Sequence, residues 1–148
     1  MRFATPFLLV MIAAPAAAAD VRIVDIKASL FWEHAGRFSD NVVGASLEPN
    51  LAKGGGPDHE SASAVLFDLV FSGEKNVSPK YATATVDITQ YGKTGVSVTH
   101  KAFTGFVFGA DGVEHKALLV ENATCSPLTL DVHAGKTAKT VRLDFHCD

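Results

Sequence analysis

The amino-acid sequence predicts an all-β fold, a single antiparallel β-sandwich of about seven to nine strands, on three observations. Short runs of β-branched and aromatic residues alternate with polar ones at period two. Gly, Pro, Asn and Asp punctuate those runs at close intervals. Beyond residue 19, no stretch of useful length carries a 3.6-residue apolar period.

The first element is a leader. Residues 1–19, MRFATPFLLVMIAAPAAAA, combine a positive start at Arg2, an apolar run over 7–14 and small residues over 16–19, where a signal peptidase cuts. The apolar run is too short to span a bilayer. The expected mature chain is therefore a domain over 20–148, secreted or periplasmic, beginning at Asp20. Removing residues 1–19 from the 148 leaves 129 residues, enough for one domain with a hydrophobic core. Both methionines, Met1 and Met11, leave with the leader.

The strands follow in order. Ile26, Ala28, Leu30 and Trp32 share one face against Asp25, Lys27, Ser29 and Phe31. Val65, Phe67, Leu69 and Phe71 repeat the pattern, with Asp68 opposite. Residues 81–88 place Ala82, Ala84, Val86 and Ile88 on one side, and Val96 and Val98 open a further strand. Leu128, Leu130 and Val132 alternate with Thr129, Asp131 and His133; Val141, Leu143 and Phe145 alternate with Arg142, Asp144 and His146.

Two connections bear on function. Asp111-Gly112, inside GADGV over 109–113, suits a tight turn because both residues tolerate positive φ. A two-residue turn there predicts a hairpin with Phe108 opposite His115, Phe106 opposite Ala117 and Phe103 opposite Val120. Both hairpin faces carry apolar residues, so it is either covered on both sides or presents a patch. Residues 44–63, with Gly54-Gly55-Gly56-Pro57 at their centre, form a connection longer than usual, either a binding segment or a plain insertion. A short helix or strand over 45–52 fits inside it.

Cys125 and Cys147 are the two cysteines, and in an exported domain they read as one disulfide. A hairpin turning over 134–139 pairs Leu128 with Phe145, Leu130 with Leu143 and Val132 with Val141. That register sets Cys147 opposite Ser126, one residue from Cys125, and calls for an irregularity at Ser126-Pro127. Redox chemistry at sulfur would want Cys-x-x-Cys at a helix start, which this spacing lacks.

The formal net charge is −3, or −4 without Arg2, with no basic cluster to track a phosphate backbone; nucleic acid is not an expected partner. No second long apolar run follows Asp20, so no membrane span is expected in the mature chain. His34, His59, His100, His115, His133 and His146 show no metal-ligand spacing, so neither a metal nor a cofactor is expected. Asp40, Asp58 and Asp111 are isolated turn carboxylates rather than a calcium set. Ser61 and Ser63 lack a G-x-S-x-G context, and Gly54 to Gly56 lack the Lys-Ser/Thr of a phosphate loop.

The architecture resembles immunoglobulin-like and C2-like domains in general, without a family-specific motif that would carry functional residues over. The leading expectation for function is a secreted or periplasmic non-enzymatic module whose partner is a protein, a glycan or an envelope component. The competing readings are a small hydrolase or metal-dependent enzyme built on His59 and nearby carboxylates, and a structural envelope subunit with an open edge strand. The candidate binding surface comprises Phe31, Lys53, Asp58, His59, Phe106, Phe108 and His115.

Overall fold

The computed structural model describes residues 20–44, 53–92, 95–122 and 127–145. Among them are eight strands: β1 Arg22–Trp32, β2 Arg37–Phe38, β3 Ala64–Ser72, β4 Ala84–Gly92, β5 Gly95–Phe103, β6 Val113–Glu121, β7 Leu128–Ala134 and β8 Thr137–Leu143. Among the described residues helix is confined to one 3₁₀ turn at Pro57–His59, and no described helix is long and apolar enough to cross a membrane. The leader, residues 45–52, Cys125 and Cys147 lie outside the described residues.

All pairings are antiparallel, in two four-stranded sheets ordered β2-β1-β3-β6 and β5-β4-β7-β8. Their apolar faces meet in one core. Ile26, Ala28, Leu30 and Trp32 of β1, with Val65, Phe67, Leu69 and Phe71 of β3, pack with Ala84, Val86 and Ile88 of β4 and Leu128, Leu130 and Val132 of β7. The alternation predicts these inward faces because a strand buried on one side must repeat its apolar residues at period two. A bulge between Ile23 and Asp25 lets both Ile23 and Ile26 point inward although they are three residues apart.

Two predicted registers do not hold. The last hairpin turns tightly at Gly135-Lys136, with Gly135 at φ 56°, so Leu128 pairs with Leu143, Leu130 with Val141 and Val132 with Lys139. The shift of two residues from the expected register keeps every side chain on its face, which is why the apolar pattern could not detect it.

The hairpin expected across residues 103–120 is not a hairpin. β6 pairs with β3, and β5 with β4. Between them residues 104–112 cross from one sheet to the other. Phe106 and Phe108 enter the core, 1% and 2% exposed. Phe106 packs edge-on against Phe71 with ring centroids 5.1 Å apart, and stacks with Phe108 at 6.0 Å. The Phe108 amide donates to Val77 O and the Asn76 amide to Gly109 O, which docks the crossing on the turn after β3. Burying two phenylalanines outweighs the ladder that the Asp-Gly turn alone would favour.

Candidate functional site at the β5 edge

The sequence-predicted surface disperses. Phe106 and Phe108 are interior, so the surface reading does not hold for them. Phe31 lies on the outer face of its sheet beside Phe38, ring centroids 4.8 Å apart, and does not meet the crossing phenylalanines. His115, also on that outer face, is exposed and holds Asp68 through Nδ1 at 2.8 Å. Lys53, Asp58 and His59 are exposed in the loop before β3, where Asp58 and His59 take left-handed backbone at φ 53° and 61°. No group of three or more His, Cys, Asp or Glu side chains among the described residues is placed to hold a metal ion.

That loop is strapped to the β1–β2 turn. Glu60 accepts hydrogen bonds from the His34 amide at 2.6 Å and the Ala35 amide at 3.0 Å. Gly56 lies against the buried indole of Trp32.

The surface that sequence reasoning missed is β5. Residues 95–102 of this nine-residue strand are all exposed, and only Phe103 is partly buried. In the run GVSVTHKAF Val96 and Val98 alternate with Ser97 and Thr99, and no large aromatic or leucine side chain precedes Phe103.

The hydrogen-bond phase of the sheet fixes which β5 groups are free. The Tyr91 amide donates to Pro127 O, so odd-numbered residues of β4 bond toward β7 and even-numbered ones toward β5. Gln90, Ile88 and Val86 stand opposite Ser97, Thr99 and Lys101. Those β5 residues therefore close the ladder, and Val96, Val98, His100 and Ala102 direct their N–H and C=O groups out from the edge. The side chains of these four lie on the outer face, with Val96 61% and Val98 51% exposed.

The outer face beside this edge is polar. Asp87 and Asp131 stand directly opposite each other on β4 and β7, an unfavourable like-charge pair. His100 Nδ1 donates to Asp87 at 2.6 Å and Thr140 Oγ1 to Asp131 at 2.5 Å, which offsets it. At one end Arg142 spans Asp144 and the Tyr91 ring, whose centroid is 5.5 Å away. The hydrogen bond that Arg142 donates to Asp144, and then the charge of Asp144, hold the guanidinium above its ordinary pKa.

The other three sheet edges are guarded. β2 has two residues. Along β6, Glu114 accepts from the Val107 amide, and Lys116 donates to Gly105 O at 3.3 Å while sitting 5.1 Å from the Phe106 ring centroid. The crossing segment is thereby tied beside that edge. β8 carries Lys139 and Arg142, and its first residue is tied to β1, since Thr137 Oγ1 accepts from the Ile23 amide. Short, charged or covered edges are the usual protection against strand pairing. β5 has length, one lysine (Lys101) and no acidic residue.

No protein-family model and no curated protein matches the chain. Among solved structures it is similar to R. palustris CsgH, determined in solution, at 18% identity over 58% of this chain and 84% of that one, with a TM-score of 0.36.

Proposed function

We propose that this protein is an exported, non-enzymatic interaction module of the secreted or periplasmic space, which binds a partner chain by strand addition at β5. The observation that carries the reading is a nine-residue edge strand, exposed from residue 95 to 102, with the amides of Val96, Val98, His100 and Ala102 directed outward. Strand addition takes affinity from main-chain hydrogen bonds and selectivity from alternate side chains. The leader-like pattern of residues 1–19, a positive start, an apolar run and small residues, supports the compartment. The strand order supports an immunoglobulin-like reading of the sandwich, with the fourth long strand placed beside the third.

The test is a photo-crosslinking residue at position 98 in the mature protein, exposed to its own envelope extract. A discrete crosslinked partner, lost when Val98→Pro is tested in capture, is the expected result. A partner captured equally by the wild type and by Val98→Pro would overturn the reading, as would no crosslink at all. The Val98 amide points away from β4, so proline there removes an edge donor without removing a bond of the β4–β5 ladder.

A further inference from the structure

We infer that the occupant of the β5 edge is a second copy of β5, paired antiparallel about a twofold axis at Thr99. The inference rests on the strand-addition reading and names its partner. A twofold axis makes an interface from the same patch on both subunits, so the edge has to be complementary to itself. Three observations show that it is.

The first is hydrogen-bond phase. Outward groups must face outward groups, so Val96, Val98, His100 and Ala102 must meet members of the same set. Centring the pair on Thr99 sets Val96 opposite Ala102 of the partner copy and Val98 opposite His100. Every outward N–H and C=O of both strands is then matched. Centring on Val98 sends Ala102 past the end of the partner strand. Centring on His100 does the same to Val96 and stacks the two imidazoles.

The second is side-chain chemistry. With Thr99 at the centre, each Lys101 faces a Ser97, and the two Thr99 hydroxyls meet. On the outer face Val96 meets Ala102 and Val98 meets His100. No like charges stand opposite each other, and Thr–Thr and apolar cross-strand pairs are favourable. The strand contributes no carboxylate, so the acidic character of the whole chain does not enter the contact.

The third is access. Residues 95–102 are exposed on both faces. A continuous eight-stranded sheet, running β8-β7-β4-β5 and then the same four in reverse, follows. A contact made of two strands is smaller than a standard interface of roughly 1,200–2,000 Å², so the dimer should be concentration-dependent rather than obligate.

The test is sedimentation equilibrium of the mature protein across a wide concentration range. A monomer–dimer equilibrium is expected for the wild type. Thr99→Lys, at an exposed position with the monomer's own ladder untouched, should weaken association at least about tenfold by setting two lysines face to face, and Val98→Pro should abolish it. Under mild oxidation Thr99→Cys should give a disulfide-linked dimer, because directly opposite residues in a non-hydrogen-bonded pair are the closest, whereas Ser97→Cys should not. A protein monomeric at all concentrations overturns the inference, as does a dimer indifferent to both Thr99→Lys and Val98→Pro, or one crosslinked through position 97 and not 99. The strand-addition reading fails separately. If the wild type is monomeric but Val98→Pro abolishes capture of a different chain, the second-copy assignment falls and the edge reading stands.

Discussion

The Gly56 backbone lies directly against the Trp32 indole: a Cβ built on Gly56 would lie 2.2 Å from Trp32 Nε1 and 2.4 Å from Cδ1. The backbone of Gly56 is ordinary, at φ −75°, so what this glycine supplies is space. The glycine-rich loop therefore closes the core over a tryptophan that is 7% exposed. That assigns Gly56 a packing role, with its amide bonded to Glu60 O at 3.0 Å to hold the loop shut.

Gly56→Ala should consequently cost about 1–3 kcal/mol through overpacking. The added methyl would also press to 2.7 Å from Glu60 O, which cannot move without opening the loop. Gly109→Ala is the control: its Cβ would meet nothing nearer than Asp111 Oδ1 at 3.6 Å, so its effect should stay within about 0.5 kcal/mol. Thermal or urea unfolding of the two variants decides it, and equal shifts would refute the packing role.

Glu60 performs the second closure. Its two carboxylate oxygens take the amides of His34 and Ala35, so Glu60→Ala leaves both donors to solvent. Because the turn is exposed, water replaces much of the bond, and the loss should be about 1 kcal/mol. Amide exchange should accelerate at His34 and Ala35 well before it does in β3. Glu60→Gln, which keeps one acceptor oxygen, should fall between the wild type and alanine.

Phe106 and Val107 are neighbours in sequence with opposite surroundings, 1% and 63% exposed. Phe106→Ala removes a ring packed on Phe71 and Phe108 and should cost about 3–5 kcal/mol. Val107→Ala should cost no more than about 0.5 kcal/mol. Denaturation midpoints of the pair test whether the segment 104–112 crosses between sheets. In a hairpin covered on both faces Val107 would be buried as well, and Val107→Ala would then cost clearly more than about 0.5 kcal/mol.

These residues also show how far the fold was legible in the sequence. The inward faces of β1, β3, β4 and β7 were readable because deep burial on one side imposes a strict apolar repeat, as in Val65, Phe67, Leu69 and Phe71. The β7–β8 register was not readable. A shift by two residues leaves the pattern unchanged, and the turn at Gly135-Lys136 sets the pairing. Phe106 and Phe108 have the spacing of a strand residue pair whether they face a cross-strand neighbour or a core reached by changing sheets. The β5 edge was hidden for a different reason. Val96 and Val98 announce a strand, but its place at the sheet margin depends on which strands pair with β4, and the sequence of β5 alone does not contain that.

The end of the β7–β8 ladder away from its turn bears on Cys125 and Cys147. The last pair of that ladder is Leu128 with Leu143, and the described chain continues to Pro127 on one side and Phe145 on the other. In the sequence Cys125 stands two residues before Pro127 and Cys147 two residues after Phe145. We propose that they form a disulfide in the exported protein, closing a loop of about two dozen residues and adding about 3 kcal/mol through the unfolded chain. Intact-mass measurement after alkylation without reductant should show no modified cysteine in protein recovered from the oxidising compartment. Serine at both positions should lower the unfolding free energy by about that amount and speed amide exchange first at Leu128 and Leu143. Two alkylated thiols in the unreduced protein would exclude the bridge.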